Sequence, residues 1–364
     1  MYDMFRVLMM GIFTTILTLA LTPLVRLLAF KVGATDKPDK RRVNKTIMPT
    51  MGGIAIYLSF FIAIFFLQPI ALSVSVPLFI AATIIVITGI IDDIKELNPK
   101  LKLLGNIAAA LVIYFIAEVR MDLVSIPIFG DIHLGIFSFP ITIIWILAIT
   151  NATNLIDGLD GLATGVSIIA LGTMAVISFF FLGGSNIPVF IMIFTLICAA
   201  VGFLPYNFYP AKIFLGDTGA LFLGFMISVL SLYGLKNVTF ISLIIPITIL
   251  GIPITDTIYA MLRRYLNHMP ISSADKHHMH HRLMSLGLTH KQTVLTIYGV
   301  ALIFSLIALL FPMTTIGGTV LILVALVIGL ELFVELIGLV GEDRRPLLKT
   351  LKKIANKINK RDNP

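Results

Sequence analysis

The sequence contains very little cysteine, tryptophan or charge. Among 364 residues there is one tryptophan and one cysteine, Cys198, and charged residues make up 13% of the chain. A single cysteine excludes a disulfide within the chain and a cysteine-based metal site. The low charge, with 58% hydrophobic residues and a mean hydropathy of +1.02, excludes an ordinary soluble globular protein. The composition predicts a polytopic membrane protein, for which we expect no nucleic-acid partner.

Apolar segments that are long enough to span a bilayer recur along the chain. Most cover about 17 to 25 residues, the length that an α-helix needs to cross a hydrocarbon core about 30 Å thick. We predict an all-α fold with one catalytic transmembrane domain over residues 1–340 and a basic cytoplasmic tail over 341–364. The eleven predicted spans are 5–28, 52–70, 76–91, 103–118, 135–150, 162–182, 187–205, 213–233, 238–260, 293–311 and 315–338.

Basic residues are concentrated in alternate loops and in the C-terminal tail. Of the 27 Lys and Arg residues, 23 fall in the segments 31–51, 92–102, 206–212 and 261–292 and after residue 341. Short loops rich in Lys and Arg stay on the cytoplasmic side of a membrane. An odd number of spans then places the N-terminus outside and the C-terminus in the cytoplasm.

Acidic, amide and histidine side chains occupy the same set of loops. They occur in IDDIKELNPK (91–100), NATNLIDGLDG (151–161), YNFYPAKIFLGDTG (206–219) and RRYLNHMPISSADKHHMHHRL (263–283). Loops of the alternate set such as LQPIALS and LGGSN carry no acid or histidine. A passive membrane scaffold has no need of this asymmetry, so the pattern predicts a site at the cytoplasmic interface.

The aspartates of these loops indicate a metal-dependent reaction. Asp92, Asp93, Asp157 and Asp217 would repel one another at close range unless a cation lay among them, and we take them as candidate metal ligands. Oxygen ligands without cysteine favour a hard cation, Mg²⁺ or alternatively Mn²⁺. Because Mg²⁺ takes one or two protein carboxylates and completes its shell with water and phosphate oxygens, the substrate is predicted to carry phosphate. Arg and His donors of the loop 263–283 would hold that phosphate.

Several of these residues also have structural interpretations. An adjacent pair, Asp92 and Asp93, at the end of an apolar span favours function over a solvated helix terminus. Asp217 in GDTG could cap the eighth span, a role compatible with chemistry. In NATNLIDGLDG the polar positions 151, 154 and 157 share one helical stripe, and four polar groups with two glycines exceed what a capped turn requires.

Two further pairs leave alternatives open. His277 and His281, at i and i+4, could bind zinc, but phosphate binding is the better interpretation without cysteine or a nearby Glu. Glu331 and Glu335, in the last predicted span, either pair with a neighbouring helix or mark a lateral opening.

Five motifs together resemble those of the polyprenyl-phosphate N-acetylhexosamine-1-phosphate transferases. In order they are DKPDKRRVNKTIMPTMGG (36–53), GIIDDIKELNPKLKLLGNI (89–107), NATNLIDGLDGLATG (151–165), YNFYPAKIFLGDTGALFLG (206–224) and DKHHMHHRL (275–283). The resemblance covers nearly the whole chain. It implies a Mg²⁺-dependent transfer in which the phosphate of a membrane polyprenol attacks the sugar-linked phosphorus of a UDP-amino sugar and releases UMP.

The resemblance implies a role for each matching residue. Asp92 and Asp93 match an acidic pair that orients or deprotonates the lipid phosphate and approaches the metal, in interchangeable roles, and Asp217 matches the main magnesium ligand. Lys100 and Lys102 could hold the polyprenyl phosphate or, with equal support, extend to the membrane interface. The other implied substrate-binding residues are Asn151, Asn154, Asp157 and Asp160 for the nucleotide and metal, and His278, His280, His281 and Arg282 for the sugar diphosphate.

The chain departs from the family pattern at three positions. Family members often have His where this chain has Asn44, Arg where it has Thr50 and Ser where it has Ala220, so a role for the first-loop His or Arg is absent or reassigned here. The HxHHRL pattern resembles the branch that uses UDP-N-acetylglucosamine rather than the peptidoglycan branch, which uses a muramoyl-pentapeptide.

Within that branch, the chain is most similar to enzymes that start teichoic-acid linkage units in Gram-positive bacteria. Starters of enterobacterial antigen or lipopolysaccharide are the alternatives. The partners implied are UDP-N-acetylglucosamine, undecaprenyl phosphate and the lipid bilayer, and a second copy of the chain in a homodimer is a further candidate.

Two other classes of membrane protein fit the sequence less well. A transporter would be expected to place its acids near the middle of the bilayer and often to show internal repeats, and this sequence shows neither. An intramembrane aspartic peptidase is suggested by LGDTG, but Phe214 breaks the Gly-x-Gly-Asp form and the other acids lie in loops. Metal-dependent release of UMP would distinguish the transferase from both.

Overall fold

The computed structural model describes residues 4–37, 46–67, 70–126, 130–181, 187–235, 241–266, 268, 278–339 and 346–350. Three features singled out in the sequence lie outside these residues. They are Asn44, His277 and most of the basic tail.

Thirteen helices of seven residues or more and two short hairpins form the described part of the chain. Each hairpin is an antiparallel pair, β1 (Thr35–Asp36) with β2 (Met48–Pro49) and β3 (Leu123–Ile126) with β4 (Gly130–His133). The helices are α1 (Met4–Val32), α2 (Gly53–Leu67), α3 (Leu72–Lys95), α4 (Pro99–Phe115), α5 (Ser138–Ile156), α6 (Leu162–Phe180), α7 (Ile187–Asn207), α8 (Gly216–Leu235), α9 (Ile241–Ile249), α10 (Gly251–Leu266), α11 (Met279–Ser285), α12 (His290–Leu310) and α13 (Ile316–Ile337).

The predicted all-α polytopic membrane fold is confirmed. Every predicted span coincides with a helix, except that the ninth is divided at Leu250 into α9 and α10. Within the described ranges, eight helices are long and apolar enough to cross a membrane, and Gly53–Leu67 is a shorter apolar helix. The number of crossings and their orientation stay predictions.

Helix α8 forms the centre of the bundle and carries Asp217 in its first turn. It packs against α2, α3, α5 and α6. Because α8 is apolar on all sides, it can be surrounded by other helices without burying unpaired charge. Phe222 and Phe225 are fully buried in it, whereas Leu321 and Val327 on α13 are well exposed, as expected for a helix that faces lipid.

Two glycines let neighbouring helices reach the backbone of α8. A Cβ atom added at Gly53 would lie 2.1 Å from Gly219 Cα, and one added at Gly89 would lie 2.4 Å from Thr218 Cα. No side chain larger than hydrogen fits these contacts without displacing the backbone. The close approach of α3 brings the acidic pair at its end to the start of α8.

The tight turn between α3 and α4 places a lysine beside the same site. Asn98 caps α4, its side chain accepting from Lys100 N, and Pro99 occupies the first helical position. Asn is favoured at the N-cap because its side-chain oxygen accepts from a backbone N–H of the first turn, and Pro is favoured at the first helical position because it has no N–H to leave unpaired. Leu97 N donates to Asp92 Oδ1 at 2.6 Å, which ties the turn to the end of α3.

Candidate active site

A cavity of about 730 Å³ lies where the loops that follow α5 and α7 meet the start of α8. Pockets for small ligands typically have volumes of about 300 to 1,000 Å³. Apolar wall residues include Tyr209 and Phe214, and Thr50, one of the departures from the family pattern, also lines it. Seven residues predicted from the sequence line this cavity: Asp93, Asn154, Asp157, Asp160, Asp217, His280 and His281.

Lys102 joins two of the predicted catalytic aspartates. Its Nζ lies 2.8 Å from Asp92 Oδ2 and 2.8 Å from Asp217 Oδ1, and it donates to Asn154 Oδ1 at 3.1 Å. Asn154 in turn donates to Asp217 Oδ1. The side chains of Lys102 and Asp92 are 18% and 7% exposed, so the ion pair is shielded from bulk water. Lys102 is therefore placed among the acids and not at the membrane interface.

Asp93 has contacts different from those of Asp92. Its Oδ1 accepts from Asp217 N at 3.0 Å, and its Oδ2 accepts from Thr218 N at 3.1 Å and Thr218 Oγ1 at 2.6 Å. These N–H groups are among the unpaired donors of the first turn of α8, where a negative charge is favourable. Asp93 thus caps α8, a role that the sequence suggested for Asp217.

Asp157 follows the last residue of α5 and lies in a strongly negative environment. Desolvation and the charges of Asp217, Asp93 and Asp160 raise the pKa of Asp157 well above its usual range. This environment disfavours the charged form of the carboxyl group, and a nearby cation would compensate the charge.

Asp157 and Asp217 both line the cavity and supply oxygen atoms of the kind that a hard cation prefers. In the described part of the chain, no group of three or more His, Cys, Asp or Glu side chains is arranged to hold a metal ion by itself. Mg²⁺ needs no such cage because it completes its shell with water and phosphate oxygens. Of the four predicted ligands, Asp92 and Asp93 have both oxygens engaged by protein donors, whereas the donors Lys102 and Asn154 both meet Asp217 at Oδ1, so Asp157 and Asp217 are the better placed.

Asp160 holds two loops at the mouth of the cavity. Its Oδ2 accepts from Ala211 N at 2.9 Å, and its backbone N–H donates to His290 Nε2 at 3.0 Å. The ring of His290 packs on Tyr209 with centroids 4.6 Å apart. Asp160 therefore fixes the loops after α5 and α7 relative to the start of α12.

The histidines come from α11 and the residue before it. His280 lies against the backbone of Gly158, where an added Cβ would approach the ring to 2.4 Å. Burial and the neighbouring His281 lower the pKa of His280 to about 3, so its ring is neutral near pH 7. His278 is buried next to the cavity, with its Nδ1 2.8 Å from Asp256 Oδ2.

Five predicted substrate-binding residues are not among those that line the cavity: Lys102 and His278, described above, and Asn151, Arg282 and Lys100. Asn151 donates to Leu147 O one turn earlier in α5. Arg282 donates from Nε to Ile337 O at 3.2 Å, at the end of α13. Lys100 is exposed in the first turn of α4. Asn151 is held by its own helix and Arg282 by the end of α13, whereas Lys100 is exposed at the start of α4.

Other residues at or near the site escaped the sequence analysis. His290 and Tyr209 line the cavity, but a lone His and a lone Tyr beside a helix give no distinctive pattern. Asp256 had a usable signal, because an acid inside an apolar segment is costly and usually functional.

Of the glutamate pair, Glu331 accepts from Tyr259 Oη, while Glu335 accepts from Leu347 N and Leu348 N, so both have protein partners.

The chain is similar to known enzymes over most of its length. The model of glycosyl transferase family 4 matches residues 75–235. The chain is 42% identical to the "Probable undecaprenyl-phosphate N-acetylglucosaminyl 1-phosphate transferase" of Bacillus subtilis (strain 168), over 97% of this chain and 98% of that protein. It is 32% identical to the decaprenyl-phosphate N-acetylglucosaminephosphotransferase of Mycobacterium tuberculosis (strain ATCC 25618 / H37Rv), over 80% of this chain and 78% of that protein.

A phospho-N-acetylmuramoyl-pentapeptide-transferase, from Halalkalibacterium halodurans, is 30% identical over 82% of this chain and 94% of that protein. Fold, site and relatives together define a multi-pass membrane enzyme that transfers a phosphosugar. The chain belongs to glycosyl transferase family 4, as a member of the polyprenyl-phosphate N-acetylhexosamine-1-phosphate transferases, and the predicted resemblance is confirmed.

Proposed function

We propose that the protein transfers N-acetylglucosamine-1-phosphate from UDP-N-acetylglucosamine to undecaprenyl phosphate. The observation that carries this proposal is the cluster of Lys102, Asp92, Asp217 and Asn154 among apolar helices, of which Asp217 and Asn154 line the cavity. Such a site suits a reaction between a water-soluble nucleotide and a lipid-bound phosphate. The Bacillus subtilis relative, which the chain covers almost completely, is named for this activity.

The reaction is an exchange of one phosphorus–oxygen bond for another. An oxygen of the lipid phosphate forms a bond to the sugar-linked phosphorus, and the bond from that phosphorus to the oxygen of UMP breaks. The lipid phosphate is already largely ionised near neutral pH, so a general base is not required. Catalysis then depends on alignment and charge neutralisation.

Residues in and beside the cavity have different roles in this alignment and charge neutralisation. Lys102 holds Asp92 and Asp217 together and offers a positive charge near the reacting phosphates. His280 and His281 face the cavity, and the neutral ring of His280 supplies a hydrogen bond and not a charge. Asp157 and Asp217 would hold Mg²⁺, which would neutralise the charge of the diphosphate as it shifts.

We further propose that the site faces the cytoplasm and that the product starts a cell-wall polymer, with wall teichoic acid as the favoured one. Helix ends near the cavity carry basic residues, including Lys95 on α3 and Arg263 and Arg264 on α10. This distribution supports the cytoplasmic orientation that the loop charges predict.

The test is UMP release by the purified protein in detergent, with undecaprenyl phosphate and Mg²⁺. UDP-N-acetylglucosamine is compared with UDP-N-acetylmuramoyl-pentapeptide, and Asp217→Asn with wild type. Release with the first donor only, lost in Asp217→Asn and on chelation of Mg²⁺, is the expected result. Release with the pentapeptide donor would assign the protein to the activity named for the Halalkalibacterium relative, and no release with either would contradict the proposal.

A further inference from the structure

Asp256 is a buried acid that the proposed reaction does not use. It lies in α10, is 2% exposed and is not among the residues that line the cavity. Both oxygens of its carboxylate bind the start of α11. Oδ1 accepts from Met279 N at 2.7 Å, and Oδ2 lies 2.8 Å from His278 Nδ1.

Helix α11 depends on such external contacts for its position. It has seven residues, whereas isolated helices shorter than about 12 residues are marginal in water. His278, its N-cap residue, makes no side-chain capping bond, so Met279 N would be an unpaired donor without Asp256. The other end of α11 is fixed by the bond from Arg282 Nε to Ile337 O.

Direct contacts lead from Asp256 to the cavity. The rings of His278 and His280 are parallel within 2°, with centroids 6.0 Å apart, and the rings of His280 and His281 are 4.2 Å apart. We call His280 and His281 the histidine wall, because both line the cavity. The carboxylate thus fixes both the backbone that carries the wall and the ring that packs against it.

We propose that Asp256 is a positioning residue that orients the histidine wall through His278 and Met279. The inference rests on the proposed function, since a UDP-sugar is the ligand that the wall would contact. A carboxylate can only accept, so His278 must donate from Nδ1 and its proton is fixed on that nitrogen. Asp256→Asn keeps an oxygen for Met279 N but presents an amide N–H group to Nδ1, which moves the ring proton to Nε2.

The kinetic test uses Asp256→Asn, His278→Gln and the double variant in the full-length protein. Asp122→Asn is the matched control, because Asp122 accepts from Ser138 Oγ beside the β3–β4 hairpin and is not among the cavity-lining residues. UMP release is measured while each substrate is varied in turn. We expect Asp256→Asn to lower kcat/KM for UDP-N-acetylglucosamine about tenfold or more while the KM for undecaprenyl phosphate changes less than about twofold.

The double variant decides whether Asp256 acts through His278. We expect the kcat/KM of the double variant for UDP-N-acetylglucosamine to lie within about twofold of that of the less active single variant, because the two residues form one unit. Multiplicative effects, control-like kinetics of Asp256→Asn, or equal effects on both substrates would overturn the proposal. If Asp256→Asn yields no folded protein, His278→Gln alone should show the same selective loss, and control-like behaviour of that variant would overturn it too.

A second readout does not depend on activity. Diethylpyrocarbonate modification of His280 and His281, followed by mass spectrometry, should be several-fold faster in Asp256→Asn than in wild type or Asp122→Asn. An unchanged rate would overturn the positioning role. If the wild type releases no UMP from any UDP-sugar, the proposed function fails, whereas this measurement still decides the role of Asp256.

Discussion

Asp93 and Thr218 are joined by two hydrogen bonds to a single carboxylate oxygen, from Thr218 N at 3.1 Å and from Thr218 Oγ1 at 2.6 Å. This contact fixes the end of α3 to the first turn of α8. The adjacent Asp92 makes no part of that contact and instead pairs with Lys102. The two neighbouring acids therefore have different structural roles.

We predict that Asp93→Asn destabilises the protein more than Asp92→Asn. The first replaces an acceptor of the cap of α8 by a donor, and the loss of a helix cap costs about 1 to 2 kcal/mol. The second retains the bond from Leu97 N, and although it removes one partner of the ion pair with Lys102, that lysine keeps the carboxylate of Asp217 at 2.8 Å. Apparent unfolding temperatures of the two variants, measured in one detergent, check the order. Equal shifts would contradict distinct roles for the two acids.

Lys102→Met should abolish UMP release and lower stability. The substitution leaves Asp92 and Asp217 without their shared cation, and breaking a buried ion pair from one side costs about 3 to 5 kcal/mol. Because Asp217 is 32% exposed, we expect the lower end of that range. Lys95→Met, which removes an exposed lysine at the end of α3, is the control and should behave like wild type. Full activity of Lys102→Met would remove the central cluster from the mechanism.

Asp157→Asn is expected to have opposite effects on the stability of the protein with and without Mg²⁺. In the presence of a chelator the variant should be the more stable, because it lacks a carboxyl that its acidic neighbours disfavour in the charged form. With Mg²⁺ in excess, the stability of the wild type should rise more than that of the variant. A ligand at about 100 times its Kd adds about 2.7 kcal/mol to the free energy of unfolding. Unfolding temperatures across a Mg²⁺ titration measure both. Parallel titration curves would exclude Asp157 as a ligand.

His280 should make the protein sensitive to mild acid. Its pKa is about 3 in the folded protein, against about 6.5 for an unfolded chain, so the unfolded state binds more protons between these values. Stability is therefore complete above pH 6.5 and falls as the pH drops toward 3, by at most about 1.4 kcal/mol per pH unit for one group.

Four titratable neighbours act on the charge of His280, and none of them is changed when His280 itself is replaced. They are His278, His281, His290 and Asp256. His280→Gln should flatten the acid limb of the stability curve, measured as unfolding temperature from pH 8 to pH 5. Asp157 acts in the opposite sense, since its raised pKa removes stability as the pH rises, so the difference between wild type and variant isolates His280. An unchanged acid limb would contradict a buried neutral ring.

Sequence reasoning identified the helices and the side on which the polar residues meet, because hydropathy and motif composition are local properties. It could not separate Asp92 from Asp93, since which acid meets Thr218 and which meets Lys102 depends on how α3 packs on α8 and α4. It could not predict that Arg282 donates from Nε to the carbonyl of Ile337, which is far away in the chain. Contacts of this kind are set by packing between distant segments, for which a single sequence carries no periodic signal.

The glycine contacts give a last prediction, which tests how the site is assembled. Gly53→Ala should destabilise the protein by about 1 to 3 kcal/mol or more and reduce activity, because the new Cβ would meet the backbone of Gly219 at 2.1 Å and push α2 away from the start of α8. Gly172→Ala is the matched control, since nothing lies within 4 Å of its added Cβ and it sits inside α6. Alanine favours a helix over glycine by about 1 kcal/mol, so the control should be neutral or slightly stabilised. Unfolding temperature and UMP release of the two variants, measured side by side, would show whether the position of Asp217 depends on the close contact between α2 and α8. A Gly53→Ala variant that behaves like Gly172→Ala would refute this dependence.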